Sequence, residues 1–116
     1  MGKPRLLDLF CCQGGAGMGY HRAGFEVFGV DLSPQPRYPF AFIQADALSL
    51  DAAFIRTFDA IHASPPCQRF TLAQRIQNRQ HPDLIEPTRA MLTASGLPWV
   101  IENVEGAPLR LSLIHI

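Results

Sequence analysis

The sequence predicts an α/β protein built on a doubly wound, mostly parallel sheet. Short β-rich runs alternate with helix-compatible stretches, the pattern that builds parallel sheets. At 116 residues the chain is long enough for a single hydrophobic core, and it shows no internal repeat and no second domain. The segment Asp8 to Gly19, together with Asp31, Asp46, Cys67 and Glu102, falls at the C-terminal ends of predicted strands. Right-handed crossovers bring all such ends to one edge of the sheet, where ligands bind.

Each element has its own local signal. Arg5 to Phe10 is a short apolar run, the first strand, and it stops at Gly14-Gly-Ala-Gly-Met-Gly19. A short helix can follow to about Ala23, with Gly24 as its stop. Phe25 to Val30 is β-rich and ends on Asp31, and the three prolines between Ser33 and Pro39 require a loop. Phe40 to Ile43 reads as the third strand, ending near Asp46, and a short helix over 50–56 starts near Asp51. Ala60 to Ala63 is the fourth strand and runs straight into Pro65-Pro66-Cys67. Residues 68–81 are polar and aperiodic, as in a surface loop. Leu84 to Ser95 has helical apolar spacing at Leu84, Ile85, Met91 and Leu92, with Pro87 tolerable only in the first turn and Gly96 as the stop. Pro98 to Ile101 is the fifth strand, beside the fourth, and ends at Glu102-Asn103.

Composition narrows the function classes. Apolar residues make up 47% and charged residues 17%, as in a globular protein. Ten basic residues balance ten acidic ones, so any nucleic-acid contact must come from a local groove rather than a global field. No apolar run approaches a membrane span, and the N-terminus lacks a secretory signal. Three cysteines, two of them adjacent (Cys11 and Cys12), do not make a disulfide framework, so a reducing cytoplasm is expected.

Two halves of a site can be read from the residues. In the first, the glycine turn lets a ligand approach the backbone, although its G-G-x-G-x-G spacing departs from the dinucleotide fingerprint. Asp31 can hold both hydroxyls of a ribose, and Asp46 can accept from an exocyclic amine; capping roles compete for both. No G-K-[ST] follows the glycines, so a cofactor without phosphates fits best, and S-adenosylmethionine meets that description. In the second, Pro65-Pro66-Cys67-Gln68 presents a thiol on a stiff turn, poorly placed for burial in the core. Glu102, on the neighbouring strand about 4.8 Å away, can act as acid beside that nucleophile.

Asp8-Leu-Phe10, Gly14-Gly15, Pro65-Pro66-Cys67-Gln68 and Glu102-Asn103-Val104, in this order, resemble the motifs of the DNA cytosine-5 methyltransferases. The resemblance covers residues 5 to about 110, and the compact style is similar to phage-encoded members. It implies a Rossmann-like, S-adenosylmethionine-dependent methyltransferase fold, incomplete at the C-terminus, with residues 1–110 as part of the catalytic domain and 111–116 as a tail. By the same resemblance Phe10 packs on the cofactor, Gly14 and Gly15 admit its methionine moiety, Asp31 holds the ribose and Asp46 the adenine amine. Asp8 and Pro66 belong to that cofactor side. Cys67 is the nucleophile, and Glu102 contacts N3 and the exocyclic amine of the cytosine. Pro65, Gln68, Arg69 and Asn103 fall on the substrate side. The implied protein is a metal-free monomer acting on double-stranded DNA in a bacterial or phage-infected cell; the polar 68–81 loop, with Arg69, Arg75 and Arg79, is well placed to close over the DNA after the base is flipped.

The chain departs from the family at three points. Cys12 stands where glycine is usual, Asp31 replaces the commoner glutamate, and no further catalytic or target-reading motif follows Val104. Little activity is therefore expected of these 116 residues alone. Rival readings are a nucleotide-dependent oxidoreductase, which leaves Pro-Pro-Cys-Gln unexplained, and a non-catalytic DNA-binding fragment. Amino-methyltransferases carry an aromatic after the prolines, where this chain has Cys67.

Overall fold

A computed structural model describes residues 2–65 and 84–102, and the backbone of 113–115. Its centre is a six-stranded sheet in the order β3-β2-β1-β4-β5-β6. The strands are β1 (Arg5–Leu9), β2 (Glu26–Asp31), β3 (Ala41–Gln44), β4 (Ala60–Ala63), β5 (Trp99–Ile101) and β6 (Leu113–His115). The first five run parallel; β6 is antiparallel to β5. The helices are α1 (Gly15–Arg22), α2 (Ala52–Ile55) and α3 (Ile85–Ser95), with a 3₁₀ turn at Ala47–Ser49.

Central strands of a covered parallel sheet bury side chains on both faces, which is why Leu6 to Leu9 of β1 are all buried and, but for Asp8, apolar. Leu7, Leu9, Val30, Ile61, Ala63, Trp99 and Ile101 pack on one face, closed by Ala47, Ile55, Phe58 and Leu92. Leu6 and Val27 pack on the other, against Tyr38, Tyr20 and Phe25. The chain moves one way along the sheet from β1 to β3 and the other way from β3 to β5. Right-handed crossovers therefore put the connections of the two halves on opposite faces. The β2–β3 connection contains no helix, and the buried ring of Tyr38 covers Gly29 in its place.

The expected strands and helices occur within a residue or two of their sequence positions. Asp51 caps α2 by accepting from Ala53 N–H (3.1 Å), Gly96 closes α3 at φ 75°, and Gly24 follows α1 at φ 105°. Two features go beyond the sequence reading. The chain after β3 tightens into the 3₁₀ turn before α2, and part of the segment set apart as a tail adds β6 to the outer edge of β5, occupying hydrogen-bonding groups that an edge strand leaves unpaired. The polar loop at 68–81 lies outside the described residues. Among those described, no helix is long and apolar enough to cross a membrane.

Candidate functional site

The strand order reverses between β1 and β4, and the C-terminal ends of these strands open the crevice in which doubly wound folds bind ligands. Beyond Leu9 the chain turns through left-handed conformations at Phe10 (φ 56°), Cys12 (φ 49°) and Gly14 (φ 97°). Such angles are unusual without glycine, and the turn is tied down from β2. Cys11 N–H donates to Val30 O (3.2 Å), and Cys12 N–H donates to Asp31 Oδ2 (3.0 Å). Asp31 Oδ1 accepts from Ser33 N–H (3.0 Å), so this one carboxylate joins the loops after β1 and β2.

A cleft of about 560 Å³ lies over this edge. Asp8, Phe10, Gly15, Asp31, Asp46 and Glu102, all singled out from the sequence, line it. Among the described lining residues are these four carboxylates and no cationic side chain. Gly14 sits behind the wall, where a Cβ would meet Pro39 Cδ at 3.0 Å and the Tyr38 ring at 3.1 Å. Asp46 is exposed and caps the 3₁₀ turn, accepting from Leu48 N–H (3.0 Å), so its capping role exists alongside its position in the cleft. Pro65 is buried at the end of β4. Cys67, Pro66, Gln68, Arg69 and Asn103 lie outside the described residues, as do Arg75 and Arg79.

Asp8 is only 2% exposed and faces inward. Its Oδ2 accepts from the Tyr38 hydroxyl (2.9 Å), and its Oδ1 stands 3.6 Å from His62 Nδ1. Burial, followed by the charge of Asp8 and the bond to it, pushes the Tyr38 phenol far above its usual range, so Tyr38 stays protonated and donates. His62 lies opposite Asp8 in the β1–β4 register, and its Nε2 is 3.0 Å from Glu102 Oε1. Glu102 itself leaves β5 with its N–H donating to Ala63 O (2.9 Å) and its side chain half-exposed.

The two described thiols are unsuited to nucleophilic attack. Burial, then the negative charges of Asp8 and Asp31, pushes the Cys11 thiol up; burial, then Asp31 and Asp8, does the same at Cys12. Sequence reasoning missed Tyr38, His62 and Leu32. Leu32 is 68% exposed on the cleft beside Asp31, an unusual exposure for a leucine. The one signal for His62 was a polar residue inside the otherwise apolar strand Ala60-Ile-His-Ala63.

No protein-family model matches the chain. It is 34% identical to the type II methyltransferase M.HgiGI of Herpetosiphon aurantiacus, over 96% of this chain and 97% of that one. Identity is 32% to M.HgiDI of the same organism and 30% to M.AquIA of Picosynechococcus sp.; the chain spans 40% and 50% of the length of these two. Among solved structures it resembles a DNMT2 variant from Spodoptera frugiperda, with a TM-score of 0.64 and 21% identity over 89% of this chain and 36% of that one. It also resembles 1,6-didemethyltoxoflavin-N1-methyltransferase from Burkholderia thailandensis, with a TM-score of 0.57 and 22% identity over 98% of this chain and 51% of that one. At these identities the solved structures speak for the fold, which is that of the S-adenosylmethionine-dependent methyltransferases. With nearly the whole of both chains aligned to M.HgiGI, the protein belongs to the type II methyltransferase family.

Proposed function

We propose that this chain carries the catalytic residues of a DNA cytosine-5 methyltransferase, which adds Cys67 to C6 of a flipped cytosine and takes its methyl group from S-adenosylmethionine. The observation that carries the reading is the adjacency of two strand ends. Glu102 is bonded through its N–H to Ala63 O, and Ala63 ends the strand whose continuation is Pro65-Pro66-Cys67. An acid and a thiol-bearing turn thus start from neighbouring strands.

The cleft suits the cofactor. Four carboxylates without a described cation would repel a pyrophosphate and attract a sulfonium. Asp31 suits the ribose hydroxyls, Asp46 the adenine amine, and the exposed Leu32 a face of the base. When bound, S-adenosylmethionine supplies a methyl group on that sulfonium. The same charge pattern argues against a dinucleotide-dependent oxidoreductase.

The protein's own groups solve the remaining problem, which is that C5 of cytosine is a poor nucleophile. The Cys67 thiolate adds to C6, and Glu102 protonates or hydrogen-bonds N3, leaving an enamine with electron density at C5. Once C5 is methylated, loss of its proton expels the thiolate and restores the ring. Cys67, where an exocyclic-amine methyltransferase would carry an aromatic, favours this route over N4 or N6 methylation. The proposed partner is double-stranded DNA, from which the base must be extruded, and the proposed state is a monomer in the cytoplasm.

The test is a trap. Intact protein is incubated with S-adenosylmethionine and DNA containing 5-fluorocytosine, whose fluorine blocks the final elimination. A covalent adduct that disappears in Cys67→Ser is expected. Methylation of ordinary DNA with no adduct on the fluorinated substrate would overturn the covalent route.

A further inference from the structure

We propose that His62 is the positioning residue for Glu102: held between Asp8 and Glu102, it fixes one carboxylate oxygen so that the other addresses the base. This rests on the cytosine-5 reading above, because it assigns an orientation to the acid that reading requires.

The geometry leaves the imidazole little freedom. Parallel pairing sets Asp8 opposite His62 and His62 opposite Val100, so Glu102, two residues further along, projects from the same side of the sheet. His62 is 3% exposed. The Tyr20 ring lies 5.3 Å from its ring at a 60° tilt, and Asp8 closes its Nδ1 edge at 3.6 Å. That nitrogen has no hydrogen-bond partner among the described residues, so the Asp8 carboxylate is the polar group it faces. Asp8 is held in turn by the Tyr38 hydroxyl, and α1 comes this close because residue 17 is glycine, where a Cβ would lie 2.9 Å from Asp8 Oδ2. A braced ring therefore presents Nε2 to Glu102 Oε1 at 3.0 Å.

The proton assignment follows from the acceptor. A carboxyl oxygen that bears no proton can only accept, so with Oε1 in that role Nε2 carries the hydrogen and donates it, and any proton that Glu102 gives to the base sits on Oε2. Glu102 Oε2 is left to meet the base, on a side chain that is half-exposed and lines the cleft. An unanchored glutamate at a strand end would sample several rotamers and lose the alignment that acid catalysis needs. The line is not a metal site: its carboxylates lie at opposite nitrogens of the ring, and no group of side chains suited to a metal ion occurs among the described residues.

The experiment compares three substitutions at position 62 in the intact protein. Gln carries an amide N–H at the place of Nε2, Asn reaches only as far as Nδ1, and Leu offers no donor. Each variant is assayed for S-adenosylmethionine affinity, for KM and kcat on DNA, and for the rate of adduct formation with 5-fluorocytosine DNA. The expected result is a loss of about 10- to 100-fold in kcat and adduct rate for His62→Leu and His62→Asn, part of the 10²–10⁴-fold contribution of a positioned acid. Rates for His62→Gln should lie within about 5-fold of wild type on the same scale, with cofactor affinity and KM little changed in all three. A merely structural histidine would not rank Gln above Asn. If His62→Leu does not fold, the comparison of Gln with Asn decides the matter. Equal rates for Gln and Asn, or a wild-type rate in Leu, overturn the proposal. If wild type methylates ordinary DNA but forms no adduct, the underlying cytosine-5 reading fails instead.

Discussion

Tyr38 donates its hydroxyl to Asp8 Oδ2 at 2.9 Å, tying a loop with three prolines to the middle of the central strand. Both residues are buried, and they are 30 positions apart in sequence. Tyr38→Phe keeps the ring over Gly29 and removes only the hydroxyl. It should destabilise the fold by about 1–3 kcal/mol, because Asp8 loses a hydrogen bond in a buried setting. Chemical denaturation should show a lower midpoint at unchanged slope.

The fold should weaken at alkaline pH, with a definite sign. The Tyr38 phenol, ordinarily near 10.0, and the Cys11 thiol, ordinarily near 9.0, are both raised in the folded chain, chiefly by burial. The unfolded chain releases these protons first, so their contribution to stability is complete below about pH 9 and declines as pH rises beyond it. Unfolding midpoints measured from pH 7 to 11 should fall, and Tyr38→Phe should flatten the part of the decline near pH 10. A midpoint that rises over this range would contradict the assignment.

Gly29→Ala tests the same contact from the other side. A Cβ at this position would run into the Tyr38 ring, forcing the loop off the sheet. Overpacking of this kind costs about 1–3 kcal/mol. Thermal unfolding should register the loss, while Gly15→Ala, where a Cβ meets nothing within 4 Å, should leave the fold nearly unchanged.

Asp31 and Glu102 line the same cleft, and the proposed function gives them separable phenotypes. Asp31→Asn keeps one acceptor oxygen where two now hold Cys12 N–H and Ser33 N–H, so it should weaken S-adenosylmethionine binding by about tenfold or more. Glu102→Gln should lower kcat by about 10²–10⁴-fold with cofactor affinity little changed. Calorimetric titration with the cofactor, set beside turnover on DNA, separates the two. Matching losses of affinity in both variants would count against the division of roles.

Legibility in the sequence followed how local each signal is. Gly24, Asp51 and Gly96 act on their own helices, and neighbouring residues alone are enough to read all three. The C-terminal placement of Asp31 and Glu102 was equally readable, because strand direction and right-handed crossovers dictate the edge at which parallel strands end. Asp46 shows where local reading divides, since the same aspartate caps a turn and lines the cleft. The short segment forming β6 carried no such signal; its strand depends on the edge that β5 offers.

The sequence by itself determined the class of fold, the edge on which the site lies and the chemical types collected there, because each depends on neighbours within a few residues. Only the tertiary structure decided that Asp8, His62 and Glu102 form one line across three strands. That line needs a strand order in which β4 lies between β1 and β5, and a register that sets His62 opposite Asp8. His62 and Glu102 are 40 positions apart. No local pattern records which residues will face each other across such a gap; pairing between strands does, and it is settled only when the whole sheet packs.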